Sequence, residues 1–191
     1  MGFKFAVVCS SNQNRSMSAH LVLQSRNLDV RSFGTGTHVR LPGPSLDTPN
    51  VYPFSMTYSA MFEDLKNKDE HLYSSNGVLQ MLKRNADLKP HPERFQEATH
   101  DFDVVFTFEQ RVFDQVLDFY LYSETPSMKL VHVINLEVPD THADAEAGAH
   151  RCGVLADMLN RCNLGNDIFS VIKAIEDRFT GLRVLYTPAF S

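Results

Sequence analysis

A doubly wound α/β fold, with a mainly parallel sheet flanked by helices, is what this chain predicts. Short and nearly continuous apolar runs recur at Phe3–Val8, Asp103–Phe108 and Leu130–Leu136, as strands covered on both faces require. Amphipathic segments at helical spacing lie between them, and strands alternating with helices make a parallel sheet. Each apolar run also ends in a polar loop, and in open sheets of this kind a ligand binds beyond the carboxyl ends of the strands, at the point where strand order reverses.

The elements follow in order. After the first strand, a helix is expected over 16–25, with Met17, Leu21 and Val22 facing inward and Asn27 ending it. Asp29–Phe33 reads as a second strand, and Gly34-Thr35-Gly36 turns the chain into a long loop reaching Pro53. Loops of that length are often functional, and a wall facing the ligand is expected here. A helix over 54–68 buries Met61 and Leu65 with Tyr58 and Phe62, and leaves Glu63, Asp64, Lys66 and Lys68 wet. The next helix spans 75–85, capped by Ser75 or Asn76, with Val78, Leu79 and Leu82 on the core stripe and Met81 exposed beside it. Pro90 and Pro92 mark a turn. A helix over 109–120 has Val112, Phe113, Val116 and Leu117 as its inner face, and a proline-containing loop at 123–127 leads to the fourth strand, Leu130–Leu136. Thr141 caps a long helix over 143–160, residues 163–166 separate it from another over 167–179, and 183–186 reads as an edge strand.

With 191 residues and neither repeat nor linker, residues 1–191 are expected to form one domain. The 43% hydrophobic and 21% charged contents are those of a globular protein, and no apolar run approaches the roughly 20 residues that span a bilayer. Met1–Phe5 runs straight into the first strand without a leader pattern, so an intracellular protein is expected. Three widely spaced cysteines, Cys9, Cys152 and Cys162, make neither a disulfide framework nor a zinc pattern. A formal charge of −5 gives no general attraction to nucleic acid, so any phosphorylated partner must be held locally. No metal or cofactor is expected, because the histidines show no ligand spacing.

The stretch with chemistry in it is Cys9-Ser10-Ser11-Asn12-Gln13-Asn14-Arg15-Ser16, where the first strand passes through a polar loop into a helix. Such a loop can aim successive backbone N–H groups at one anion, with Cys9 beneath it. The same N–H groups and the helix dipole favour thiolate over thiol. Arg15 offers a planar fork to two phosphoryl oxygens, and the Ser16 hydroxyl is placed to hydrogen-bond the sulfur. The switch-point rule gathers four loops, 9–16, 34–44, 107–111 and 137–142, and makes both Glu137 and Asp140 candidates for a general acid. Acidic residues before a helix also serve simply to complement its dipole.

Several segments carry a resemblance: residues 9–17, Arg31–Val39, Leu41-Pro42-Gly43-Pro44, Pro49–Tyr52, Asn76–Leu82, Pro92–Gln96 and Val131–Asn135 with Asp140. Together they resemble the eukaryotic suppressor-of-sua-seven phosphatases, over residues 5–148. The resemblance implies a fold similar to the low-molecular-weight tyrosine phosphatases with inserted helices. It implies removal of phosphate from the serine at position five of the RNA polymerase II C-terminal-domain heptad, with the following proline in cis. Cys9 would then be the nucleophile, Arg15 and the loop residues Ser10, Ser11, Asn12, Gln13, Asn14 and Ser16 the phosphate binders, and Asp140 the acid. Arg40, Pro42 and Met81 would line the peptide groove. A nuclear protein is implied, with the cytoplasm as a second location, working in mRNA 3′-end processing beside a symplekin-type scaffold. The position of Glu137 is generally aspartate in the family, and the chain diverges from about His150 onward.

Other readings remain open. A low-molecular-weight tyrosine phosphatase resembles Asp-Pro-Tyr around its acid, whereas Asp140 here is followed by Thr141-His142. An arsenate reductase would need resolving cysteines, and residues 70–100 contain none. A module that holds a phosphopeptide without turning it over would not need the full set of Cys9, Arg15 and Asp140.

Overall fold

The structure is a computed structural model and describes residues 2–45, 47–122, 128–162 and 164–191. The expected loop at 123–127 and the break expected at Asn163 lie outside the described residues. One sheet holds strands β1 (Lys4–Cys9), β2 (Asp29–Gly34), β5 (Val104–Thr107), β6 (Leu130–Leu136) and β7 (Val184–Phe190), in the order β2-β1-β5-β6-β7. The first four run parallel, and β7 pairs antiparallel with β6 as an edge longer than the expected 183–186. Because β1 pairs with β2 on one side and β5 on the other, strand order reverses at β1, and the mouth of the switch point opens beside Cys9. All residues of β5 are buried, in keeping with a strand covered on both faces.

One apolar cluster joins β1, β5 and β6 to helices α1 (Arg15–Ser25), α5 (His142–Asn160) and α6 (Leu164–Arg178). The opposite face of the sheet packs on α4 (Gln110–Leu121) and on a ring of aromatics around Phe95. A further cluster lies apart from the sheet. It joins α2 (Tyr58–Ser75) and α3 (Val78–Leu88) to an antiparallel ribbon of β3 (Val39–Leu41) and β4 (Asn50–Tyr52). Met17 of α1 links this cluster to the body of the sheet.

Several sequence expectations are corrected. Leu21 is 43% exposed, and Leu23 takes the inward place given to it. The long loop after Gly36 carries the β3–β4 ribbon, with strands too short to announce themselves among prolines and glycines. α2 continues past Lys68 to Ser75, across an extended residue at Asp69 whose carboxylate accepts from the Leu72 N–H (2.9 Å) and restarts the helix. α3 therefore begins only at Val78, after Gly77, and brings Asn85 inside the helix. Gly77 has a φ of 81°, the left-handed conformation that favours glycine, and a Cβ there would stand 2.9 Å from His142 Nε2, so a larger residue would also have to displace that ring. Met81 is buried rather than exposed, at 6%. α6 starts at Leu164, earlier than the expected 167.

Of the expected helix caps only Thr141 holds: α2 begins at Tyr58 rather than 54, and the residue before α3 is Gly77 rather than Ser75 or Asn76. Thr141 caps α5 by accepting from the Asp144 N–H (3.1 Å), and Thr57 caps α2 through the Ala60 N–H (3.1 Å). Asn27, at φ 58°, ends α1 in the left-handed conformation that asparagine tolerates. No helix among the described residues is long and apolar enough to cross a membrane.

Candidate active site

Between β1 and α1 the loop is held from outside by its carbonyl oxygens. Cys9 O accepts from the Thr35 N–H (3.0 Å) and Ser10 O from the Gly36 N–H (2.9 Å). Asn12 O accepts from the Tyr58 hydroxyl (2.7 Å), and Gln13 O accepts from Arg84 Nη2 (2.9 Å) and Asn85 Nδ2 (2.8 Å). In a trans peptide the C=O and the next N–H point opposite ways. Drawing these carbonyls outward therefore turns the N–H groups of Ser10, Ser11, Gln13 and Asn14 inward, which makes an anion nest. Asn12 adopts the left-handed conformation (φ 53°) that lets the loop close so tightly.

The side chains at the floor form a directed chain. Asn12 Oδ1 accepts from the Glu93 N–H (3.0 Å), which fixes the amide so that Nδ2 donates to Ser16 Oγ (3.0 Å). The Ser16 hydroxyl hydrogen is thereby left for Cys9 Sγ, 3.1 Å away. Ser11 Oγ accepts from the Arg40 N–H (3.3 Å) and so fastens β3 to the loop.

Arg15 is buried at 4% exposure and is heavily committed. Its Nη1 donates to Phe108 O (3.3 Å) and Val138 O (3.0 Å), and its Nη2 to Glu109 Oε2 (2.9 Å). Nε has no hydrogen-bond partner and lies 3.5 Å from Asp140 Oδ1. The expected fork is therefore largely occupied by protein, which leaves only Nε–H and one Nη2 hydrogen uncommitted, and Arg15 itself does not line the cleft above Cys9. Burial opposes the charge of Arg15, yet Cys9, Asp140 and Glu109 outweigh it and raise its pKa. Burial lowers the pKa values of Arg84 and Lys89, opposed at Arg84 by Tyr58 and Glu146 and at Lys89 by Glu93, with a smaller contribution from Cys9 at both. Burial, then Cys9 and Glu93, push the Tyr58 hydroxyl well up, so it stays a donor to Asn12.

Glu109 and Arg111 were not singled out by the sequence. The Glu109 carboxylate bridges Arg15 and Arg111 Nη2 (2.8 Å), and the same Arg111 nitrogen donates to Ser10 Oγ (2.8 Å). Tyr58, Arg84 and Asn85 were missed as well. Asn85 did carry a signal, because it follows Leu82 by three on the inner stripe of α3, where the period calls for an apolar residue.

A cleft of about 270 Å³ opens above Cys9. Cys9, Ser10, Ser11, Gln13 and Asn14 form its floor; Arg40, Leu41 and Pro42 form one wall; and Asn76, Val78 and Met81 form another. Asp140, Thr141 and His142 complete the rim, and His142 Nε2 meets Asn76 O (3.2 Å) across it. The three residues expected in a groove, Arg40, Pro42 and Met81, thus share one cleft with Cys9 and Asp140. Glu137 does not join them. Its Oε2 accepts from the Gln110 N–H (3.1 Å) and Asn135 Nδ2 (3.0 Å), where it caps α4. Among the described residues, no group of three or more His, Cys, Asp or Glu side chains could hold a metal ion.

A family model described as "Ssu72-like protein" matches residues 3–191. The RNA polymerase II C-terminal domain phosphatase SSU72 of Xenopus laevis is 47% identical over 188 residues, covering 98% of this chain and 96% of that protein. The phosphatase of the same name from Homo sapiens is 46% identical over 188 residues, with the same coverage. Among solved structures, Drosophila melanogaster Ssu72 with Symplekin, bound to a cis peptidomimetic of a C-terminal-domain peptide phosphorylated at serine five, superposes with a TM-score of 0.95. That structure is 39% identical, and the match covers 100% of this chain and 99% of that one.

Proposed function

The chain belongs to the family of Ssu72-like proteins, and on that premise we propose that it is a cysteine-dependent phosphatase acting on phosphoserine-proline heptads of the RNA polymerase II C-terminal domain. The observation that carries this is the Cys9 sulfur, hydrogen-bonded at 3.1 Å to Ser16 in the floor of a cleft rimmed by Asp140, with the buried Arg15 Nε 3.5 Å from that carboxylate.

Cys9 Sγ, as thiolate, attacks phosphorus in line with the leaving serine oxygen. The P–O bond breaks, its electron pair goes to that oxygen, and Asp140 supplies the proton. The equatorial oxygens of the transferring group lie against the loop N–H groups and the side-on edge of Arg15. Water then attacks the thiophosphate and gives its proton to Asp140. The P–S bond breaks, and inorganic phosphate leaves with Cys9 restored. An alkoxide is a far poorer leaving group than a phenolate, so a serine substrate depends more on the acid than an aryl phosphate does.

Arg40, Pro42 and Met81, with Leu41 and Val78, offer a mostly apolar wall that suits a proline ring next to the phosphoserine. A cis proline bends the peptide back toward that wall. The SSU72 relatives are named for the polymerase domain, and the Drosophila structure holds Symplekin, which supports a nuclear protein acting beside a symplekin-type scaffold in mRNA 3′-end processing.

A panel of heptad peptides, each phosphorylated at one serine, threonine or tyrosine and carrying cis or trans proline surrogates, tests the substrate. Preference for serine five with cis proline is expected, and preference for phosphotyrosine overturns it. Cys9→Ser should abolish turnover while peptide binding persists, and phosphate release by that variant would sink the mechanism. Fluorescent tagging of the chain tests its place in the cell, with nuclear enrichment expected.

A further inference from the structure

Asp140 stands in the loop between β6 and α5, and its side chain is 59% exposed. An aspartate so placed has many rotamers and few neighbours, yet proton transfer requires it within about 3 Å of the leaving oxygen. Asn14, the loop residue before Arg15, resolves this. Its Nδ2 donates to Asp140 Oδ1 (3.0 Å) and to the backbone oxygen of Thr141 (3.2 Å). One amide therefore grips the acid and the residue after it, bridging 126 positions of sequence.

The orientation of that amide is not arbitrary. Both of its partners are acceptors, so Nδ2 must face them, and its own Oδ1 is left buried with no partner. A buried amide oxygen without a donor is costly. The loop tolerates it while keeping both N–H groups on the acid-bearing segment.

We propose that Asn14 is the positioning residue for the general acid and that it selects which oxygen of Asp140 carries the proton. Asn14 Nδ2 reaches Asp140 Oδ1, and Arg15 Nε lies 3.5 Å from the same atom. No hydrogen bond reaches Oδ2 among the described residues. Oδ1 is held as an acceptor, so the proton of the acid form sits on Oδ2 and is handed from there to the serine oxygen. In the second step Oδ2 takes the proton of the attacking water. The nest thus fixes the phosphate through the Asn14 backbone and the acid through its side chain, with a single residue setting the distance between them.

This inference rests on Asp140 being the acid, and the experiment separates the two. Asn14→Ala, Asp140→Asn and the double variant are compared on a heptad peptide phosphorylated at serine five and on 4-nitrophenyl phosphate, whose leaving group needs little protonation. Asn14→Ala should lower kcat on the peptide at least about tenfold more than on the aryl ester, with little change in KM, as loss of alignment at the reacting atoms predicts. In the Asp140→Asn background the same change should add no further peptide-selective loss. Equal losses on both substrates, or losses that multiply in the double variant, overturn the role of Asn14. Failure of Asp140→Asn itself to discriminate between the substrates overturns the acid assignment instead. If Asn14→Ala melts below the assay temperature, Asn14→Ser gives the same comparison with a shorter donor, and a peptide-selective loss smaller than that of Asp140→Asn is then expected. No peptide selectivity in Asn14→Ser refutes the proposal.

Discussion

Gly34 provides a direct test of how much the nest depends on its outer support. A Cβ at this position would lie 2.8 Å from Ser10 O, 2.9 Å from Asn12 N and 3.0 Å from Phe54 Cζ. Ordinary contact begins at 3.4 Å, so the two backbone atoms fall short by about 0.6 and 0.5 Å. The obstruction is backbone on the loop side: Ser10 O belongs to the peptide that carries the Ser11 N–H of the nest, and Asn12 N to the peptide that follows it. Gly34→Ala must therefore push the loop by about half an ångström, since β2 is pinned through its pairing with β1 and through the Gly34 N–H to Glu93 O (2.8 Å). A shift of that size should lower kcat about tenfold, given that 1 Å at a reacting centre costs about a hundredfold. Overpacking should also remove about 1–2 kcal/mol of stability. The phosphate cradle serves every substrate, so a phosphoseryl peptide and 4-nitrophenyl phosphate should lose equally, unlike the pattern expected for Asp140. Steady-state kinetics on both, with thermal melts, check this. A Gly34→Ala enzyme within twofold of wild type on both substrates would refute the idea that close backbone approach sets the nest.

Tyr58→Phe removes the hydroxyl that holds Asn12 O at 2.7 Å and should cost about 1 kcal/mol in denaturant titration, together with a several-fold fall in kcat; unchanged kinetics would mean that the other anchors suffice. His20 is buried against Ser32 Oγ (2.8 Å), and its pKa is lowered to about 4 by burial and then by Lys89. With the folded value below the unfolded one of about 6.5, the stability His20 contributes is complete above pH 6.5 and is lost as pH falls toward 4, by about 2 kcal/mol between pH 7 and 5. His20→Gln should flatten that part of the pH–stability curve, and a slope as steep as that of wild type would exclude His20 as its source. Gly77→Ala meets both a left-handed backbone and His142, so a loss of about 1–2 kcal/mol and a weakened peptide KM are expected from melts and kinetics. If residues 1–191 form one domain, calorimetry should find a single cooperative transition; two separable transitions, with the α2–α3 unit melting alone, would divide it.

What could be read from the sequence was set by periodicity. β1, β5 and β6 are apolar nearly throughout, and no other element type explains such short, continuous runs. From their alternation with helices came the switch point, and from the switch point the gathering of residues 9–16 with 107–111 and 137–142. The ribbon β3–β4 stayed hidden because three-residue strands among prolines, glycines and polar residues carry no period. Leu21 and Leu23 lie two positions apart on one helix, and only the packing of α1 against α5 decides between them. Met81 lies off the apolar stripe by sequence, yet it belongs to the same buried cluster as Val39, Leu41 and Tyr52 of the ribbon. Arg15 was expected to spend its fork on the phosphate, and its ties to Phe108, Val138 and Glu109 could not be foreseen, because two of those partners are backbone oxygens that any residue would supply. Glu137 and Asp140 were equivalent in sequence. Two hydrogen bonds, from the Gln110 N–H at the start of α4 and from Asn135, hold Glu137 away from the cleft that Asp140 rims.

The anchoring of Asn12 and Gln13 by Tyr58, Arg84 and Asn85 also sets an order in time. The segment that carries Cys9 is complete within sixteen residues of the start, but the groups that turn the Gln13 and Asn14 amides inward lie 46 to 72 positions later, and the carbonyls that hold Arg15 lie 93 and 123 positions later. A chain emerging from the ribosome therefore carries its cysteine long before it carries a phosphatase. The same dependence runs in reverse: when α2 and α3 loosen from the sheet, the nest relaxes while the strands still hold. If the chain unfolds as one domain, turnover and secondary structure should be lost together in rising denaturant, and turnover lost first would mark the docking of α2 and α3 as a separable step.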